Sequence, residues 1–219
     1  MSVQTEITID SLTSRDLIAS DAGQRYELTE DLTEAIESID QDTIEDHPVL
    51  HDGTKKEELL EVCANDTEFL AKYIAVAQQA DDLSFESQVS IVFLIDQFIE
   101  PKLNHNGSPE AFVPVRGQHL QTAIKLYSKA VVYAWRHNCS ACDTMRDTLD
   151  QVFDSPSLDV GLFAVYGSDC AKLLQEQFDI KGAPTTLFCV NGAVDSRLMG
   201  AKYPQSVDNE MQVISNQME

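Results

Sequence analysis

Basic residues are scarce in this chain. Fifteen Lys and Arg, nine of them Lys, stand against 37 Asp and Glu in 219 residues, a formal net charge of -22. A folded chain of this size exposes a surface on the order of 10,000 Å², or roughly one carboxylate per 270 Å². Such a field repels phosphate backbones and anionic lipid, so neither a nucleic acid nor a membrane surface is an expected partner. Long apolar runs are lacking too. The longest, Val89 to Ile99, is broken by Asp96 and is too short to span a bilayer. The opening Met1-Ser2-Val3-Gln4-Thr5-Glu6 has no basic stretch followed by an apolar one, so no secretory signal is expected, and a cytoplasmic location is. No glycine-rich phosphate loop, nucleophile elbow or paired-carboxylate motif occurs in convincing context. Apolar residues still make up 43 %, enough for a core.

Cysteine is present but not in framework form. Cys63, Cys139, Cys142, Cys170 and Cys189 are odd in number, and only one pair is closely spaced. Structural disulfides are therefore a poor explanation. Zinc is a poor one as well: a second Cys-x-x-Cys or a His-x-x-x-His is absent, and only Cys170 and His137 could complete a site after folding. No metal and no bound cofactor is expected.

The chain divides by pattern into a lead-in (1–27), a helical domain (28–101), a loop-rich linker (102–110) and an α/β domain (111–219). In the lead-in, Ile7 and Ile9 alternate with polar residues, a weak strand signal. Leu28, Leu32, Ala35, Ile36 and Ile39 mark one helical face. Thr54-Lys55-Lys56-Glu57 fits a capping box. Asp66 can cap a helix striped with Phe69, Leu70, Tyr73, Ile74 and Ala77. The stretch from about Phe85 to Glu100 reads as a buried helix ending at Pro101. After Asn104, Asn106, Gly107, Ser108 and Pro109 the pattern changes. Ala111 to Val115 is a short strand, and His119 to Tyr127 a helix. Ala130 to Trp135 is a buried strand. About Cys139 to Phe153 is a helix whose Asp143, Asp147, Asp150 and Asp154 form a solvated face. Val160 to Tyr166 is a strand, followed by a helix capped by Ser168 or Asp169. Thr185 to Val190, the turn Asn191-Gly192 and Ala193 to Met199 form a hairpin, and Pro204 to Gln217 closes the chain as a helix. The order β-α-β-α-β-α-β-β-α specifies a mixed sheet flanked by helices.

Cys139-Ser140-Ala141-Cys142 falls where a buried strand turns into a helix. Unpaired N–H groups and the macrodipole at a helix N-terminus favour an anion, so this position should lower the pKa of Cys139. Cys142, three residues on, shares the face of the first turn and can attack a mixed disulfide on Cys139. Arg136 and His137 read as exposed rim residues that could add positive potential. Cys170 opens a helix, either as a small capping-turn residue or as a third reactive thiol. Cys63 and Cys189 lie on apolar faces and read as inert core.

The C-terminal half resembles the thioredoxin family. Val131-Val132-Tyr133-Ala134-Trp135 is similar to that family's central strand, and Cys139-Ser140-Ala141-Cys142 stands in the place of its redox motif. Ile180-Lys181-Gly182-Ala183-Pro184-Thr185 resembles the segment bearing its cis-proline, Phe188 to Val194 its closing hairpin, and Gly200 the glycine after its last strand. The resemblance covers about residues 111 to 217. It implies a thioredoxin-like fold with Cys139 and Cys142 as catalytic thiols, and a cis Pro184 beside them. Ala183, Pro184, Trp135 and Asn138 would contact the substrate chain. It implies disulfide-containing protein substrates, and a reductase or small thiol as electron donor. The chain departs from the family at three places. Asn138, not Trp, precedes the first cysteine; Ser140-Ala141 replaces Gly-Pro; and Tyr133 stands where the family has a buried carboxylate. These departures and the unrelated helical half, which could bind a protein partner, keep a non-catalytic adaptor or assembly subunit as the alternative to a disulfide reductase. The acidic composition also resembles that of haloarchaeal proteins, which offers salt adaptation as a reading of the charge.

Overall fold

A computed structural model describes residues 9–21, 25–40, 42, 44–51, 53–63, 66–99, 105–154 and 160–216. The chain forms two compact units, Met1–Leu103 and Asn104–Glu219.

Among the described residues, the first unit is helical apart from one hairpin. A short helix α1 (Ile9–Ser14) leads into antiparallel strands β1 (Ile18–Asp21) and β2 (Arg25–Leu28), with Ile18 opposite Leu28. Ile9 therefore opens a helix and does not extend a strand, while Ile7 lies outside the described residues. Helix α2 (Glu30–Ser38) follows. Its expected stripe is trimmed at both ends: Leu28 ends β2 and Ile39 is the C-cap, because the Thr29 hydroxyl accepts the Leu32 N–H at 3.3 Å and starts the helix there. Two 3-10 turns lead to α3 (Thr54–Val62), whose N-cap is Gly53 at φ 108 and not Thr54. Helix α4 (Thr67–Gln79) is capped by Asp66, which accepts the Phe69 N–H at 3.1 Å. All five residues of its expected stripe are buried.

Helix α5 (Phe85–Ile95) is capped by Ser84 and runs into a 3-10 turn at Asp96–Phe98. It packs on α4, with the Phe69 and Phe93 rings 5.0 Å apart. Asp96, the residue that interrupts the apolar run, is buried against α4. Its carboxylate meets the equally buried Lys72 ammonium at 2.5 Å, and Lys72 also reaches Glu68 at 2.6 Å. A charge at this depth is tolerable only with its partner in place.

The second unit is built on a five-stranded sheet of order β3-β5-β4-β6-β7. Strand β3 (Val113–Pro114) is only two residues long, and a 3-10 turn (Gly117–His119) leads into α6 (Leu120–Lys125). Then come β4 (Lys129–Trp135), α7 (Ser140–Val152), β5 (Gly161–Tyr166) and α8 (Ala171–Phe178). The chain closes with β6 (Thr185–Val190), β7 (Ala193–Met199) and α9 (Pro204–Asn216). Strand β5 pairs parallel with β3 and β4, while β6 pairs antiparallel with β4 and β7. The β6–β7 turn uses positive φ at Asn191 (49°) and Gly192 (76°), the backbone that an Asn-Gly turn requires.

Alternation along β4 divides the core into two layers. Val131, Tyr133 and Trp135 join Met145 and Leu149 of α7 with Val207 and Ile214 of α9 in one cluster. Ala130, Val132 and Ala134 point to the other face, where α6 packs on β4 and β5. Burial of every residue from Ala130 to Trp135 explains why this strand reads as a continuous apolar run. Ser168 and Asp169 do not cap α8; Cys170 is its N-cap, and its side chain makes no capping hydrogen bond.

Candidate active site

Strand β4 ends at Trp135, and Arg136, His137 and Asn138 carry the chain over the sheet edge to α7. Asn138 has φ 53°, a left-handed conformation that Asn tolerates better than most residues. The turn it permits leaves Cys139 extended as the N-cap of α7. The Cys139 Sγ accepts the Cys142 N–H at 3.2 Å, and the Cys139 carbonyl accepts the N–H groups of Cys142 and Asp143. Cys139 and Cys142 are joined as a disulfide with Cα atoms 5.2 Å apart. The two sulfurs are not equivalent. Cys139 is half-buried, whereas Cys142 is 3 % exposed and belongs to the core beneath α7.

The segment before β6 approaches the same sulfur from the other side. The Ala183–Pro184 peptide is cis, and the Ala183 carbonyl oxygen lies 3.8 Å from the Cys139 Sγ. Two hydrogen bonds hold this bend. The Thr185 hydroxyl donates to the Gly182 carbonyl at 2.7 Å, and the Gly200 N–H donates to the Pro184 carbonyl at 2.8 Å. Gly200, at φ 75°, brings the end of β7 back against the proline. Cys139, Cys142, Ala183 and Pro184, drawn from segments more than forty residues apart, thus meet in one place.

The other two expected contact residues part company. Asn138 is exposed beside the disulfide. Trp135 is 2 % exposed, so its ring is covered by the protein's own residues where the resemblance implied a substrate contact. Its ring stands edge-on to His137 at 5.2 Å and tilted to Tyr166 at 4.9 Å. The loop at Gly107 covers it: a Cβ there would overlap the six-membered ring. That loop is pinned by Asp150, which accepts the Glu110 N–H at 2.7 Å, so Asp150 is not merely a solvated residue of α7. The indole Nε1 has no hydrogen-bond partner among the described residues.

Tyr133 has a role that sequence reasoning missed. Its hydroxyl donates to the Cys142 carbonyl at 2.7 Å and so ties β4 to the first turn of α7. Burial, opposed by the nearby Arg146 and aided by Asp143, Asp147 and Asp150, pushes the phenol well above its usual range. It is therefore a fixed donor at neutral pH. The only signal was its place on the inward face of β4.

The remaining thiols are poor nucleophiles. Cys170 is half-buried with its Sγ 3.6 Å from the Tyr166 carbonyl; burial, reinforced by Asp169, pushes its thiol up to about 11. Cys189 is buried in β6, and burial pushes it up to about 12. Cys63 is buried at the C-cap of α3.

No protein-family model matches this sequence. No curated protein matches it either. Solved structures do match by shape. The oxidised mitochondrial thioredoxin 3 of Saccharomyces cerevisiae is 16 % identical, over 47 % of this chain and 95 % of its own, with a TM-score of 0.42. A mutant thioredoxin of Halobacterium salinarum is 14 % identical over 51 % of this chain and 95 % of its own, with a TM-score of 0.43. The reduced desulfothioredoxin of Desulfovibrio vulgaris Hildenborough is 20 % identical over 42 % and 88 %, with a TM-score of 0.39. The described residues of the second unit form a five-stranded mixed sheet with helices packed against it, and the thioredoxins named above cover about half of the chain; helices make up most of the rest.

Proposed function

We propose that this protein is a thiol–disulfide oxidoreductase acting through Cys139 and Cys142. The observation that supports it is a vicinal cysteine pair at the start of α7, its outer sulfur 3.8 Å from the carbonyl that precedes a cis proline. In the reduced protein, the Cys139 thiolate attacks one sulfur of a substrate disulfide. A mixed disulfide forms, and the first substrate thiolate leaves. The Cys142 thiolate then attacks the Cys139 sulfur, closing the Cys139–Cys142 bond and releasing the second substrate thiol. Two electrons pass from protein to substrate, and an external dithiol or small-thiol reductant restores them. The N–H groups at the start of α7 favour the attacking thiolate. Ala183, with Pro184 fixing its backbone, positions the substrate chain, and Asn138 lines the approach. In a cytosolic compartment the net direction is reduction. The helical unit selects a partner or substrate, and residues from about 111 onward form the redox domain.

Tyr133 supports a second reading. Its hydroxyl meets the Cys142 carbonyl where the resembled family places a carboxylate, leaving no acidic proton acceptor on β4 for Cys142. A non-catalytic adaptor would need none. Reduction of insulin disulfides by dithiothreitol, run in molar salt to screen the acidic surface, separates the two readings. The oxidoreductase accelerates precipitation of the insulin chains, and Cys139→Ser does not. A folded, reduced wild-type protein without activity would leave the adaptor.

A further inference from the structure

Beside the cysteine pair, on the α8 side of the cis peptide, lies a groove of about 410 Å³. Its floor is apolar, made by Ala134, Leu174 and Ile180, and Ala183 forms the wall nearest the disulfide. Arg136, Lys181 and the first turn of α8 at Ala171 also line it. Acids outnumber bases more than two to one in the whole chain, yet this groove has two basic residues and no acidic one. Lys181 is partly neutralised by Asp179 at 2.9 Å. The Arg136 guanidinium, by contrast, pairs with no carboxylate among the described residues. The N–H groups opening α8 receive no side-chain cap from Cys170, which adds positive potential at that end.

We propose that this groove is a subsite for an acidic residue flanking the cysteine of the polypeptide disulfide presented to Cys139. The proposal rests on the disulfide-exchange reading and names its substrate class. A substrate sulfur bonded to Cys139 lies next to Ala183, because the Cys139 sulfur is 3.8 Å from the Ala183 carbonyl. An extended chain advances about 3.3 Å per residue, so a side chain one or two residues away enters the groove. Its methylenes meet the apolar floor and its carboxylate meets Arg136. The rest of the surface repels acidic peptides, so this local reversal of sign selects where such a peptide docks as well as which peptide docks.

Two measurements test this separately from the chemistry. The first is binding without reaction: the oxidised protein is titrated with acetyl-Glu-Ser-Glu-amide and with acetyl-Gln-Ser-Gln-amide, following backbone amide resonances. The expected result is about tenfold tighter binding of the Glu peptide, with shifts at Ala171, Gly182 and Ala183, as one charge-assisted contact supplies. In Arg136→Gln, an exposed substitution whose fold circular dichroism verifies, that preference falls to about one. The second is turnover of the symmetrical disulfides of acetyl-Glu-Cys-Glu-amide and acetyl-Gln-Cys-Gln-amide, where the same ratio appears in kcat/KM. Equal binding of the two peptides by wild type overturns the subsite, as does a Glu preference that survives Arg136→Gln. Preferential binding without reduction of either disulfide keeps the subsite and removes the exchange reading. Reduction of both at equal rates, with equal binding, does the reverse.

Discussion

Helices α7 and α8 begin in the same way and end up chemically opposite. Each follows a central strand of the sheet, β4 or β5, and each has a cysteine as its N-cap, Cys139 at φ -133° and Cys170 at φ -140°. The Cys139 sulfur turns toward the helix and accepts the N–H of Cys142. The Cys170 sulfur turns away from its helix, toward the Tyr166 carbonyl, and lies against Gly117. A second cysteine follows three residues later in α7; Leu173 occupies that place in α8. A helix N-terminus favours a thiolate only when the sulfur reaches the free N–H groups, and packing decides whether it does. At Cys170 burial wins and the thiol stays protonated.

The largest test of this contrast is loss of function. Cys139→Ser should reduce insulin turnover to the rate of dithiothreitol alone, while Cys170→Ser should retain it; comparable losses in both would end the distinction. Next comes alkylation of the reduced protein by iodoacetamide, read by peptide mass. A thiol titrating near 11 is thiolate at a level on the order of one part in a thousand at pH 8, so Cys170 should label far more slowly than Cys139. Its rate should climb about tenfold per pH unit until near pH 11. The same raised value makes a stability statement. The contribution of protonated Cys170 is complete below the ordinary thiol range and is lost as pH rises through about 11, so urea midpoints of the wild type should fall across that window more than those of Cys170→Ser.

Two smaller effects address packing. A Cβ at Gly117 would overlap the side chain of Cys170. Gly117→Ala should therefore cost about 1–3 kcal/mol in urea unfolding and speed Cys170 alkylation by forcing the sulfur outward. An unchanged labelling rate would show that something other than this contact shields the thiol. Tyr133→Phe removes the tie to the Cys142 carbonyl and should cost about 1 kcal/mol. A variant as stable as wild type would mean that this hydrogen bond does not anchor α7.

What could be read in advance was what depends on near neighbours. The Asn191-Gly192 turn, the cap at Asp66, the buried run of β4 and the Cys139–Cys142 spacing all act within a few residues. The succession of strands and helices in the α/β unit also followed from local pattern, whereas the order of the strands across the sheet came only from the structure. Errors arose where two local signals competed. Thr54 and Gly53 both suit an N-cap, and the chain uses Gly53. Ser168, Asp169 and Cys170 are consecutive candidates, and packing against Gly117 accompanies the choice of Cys170. The family resemblance alone implied Trp135 as a contact residue, and its ring is buried. The loop at Gly107 covers it, and nothing in the intervening sequence announces that contact.

By itself, then, the sequence determined the two-part pattern of helices and strands, the excess of negative charge, and a vicinal cysteine pair at a helix start. Periodicity, composition and spacing are properties of adjacent residues. Only the tertiary structure decided which cysteine has accessible sulfur, that Asp96 finds Lys72, that Tyr133 holds α7, and that Arg136 faces a groove free of carboxylates. Each of these joins residues distant in the chain or sets a degree of burial. Their energies come from desolvation and close contact, which arise only once the sheet and helices have packed.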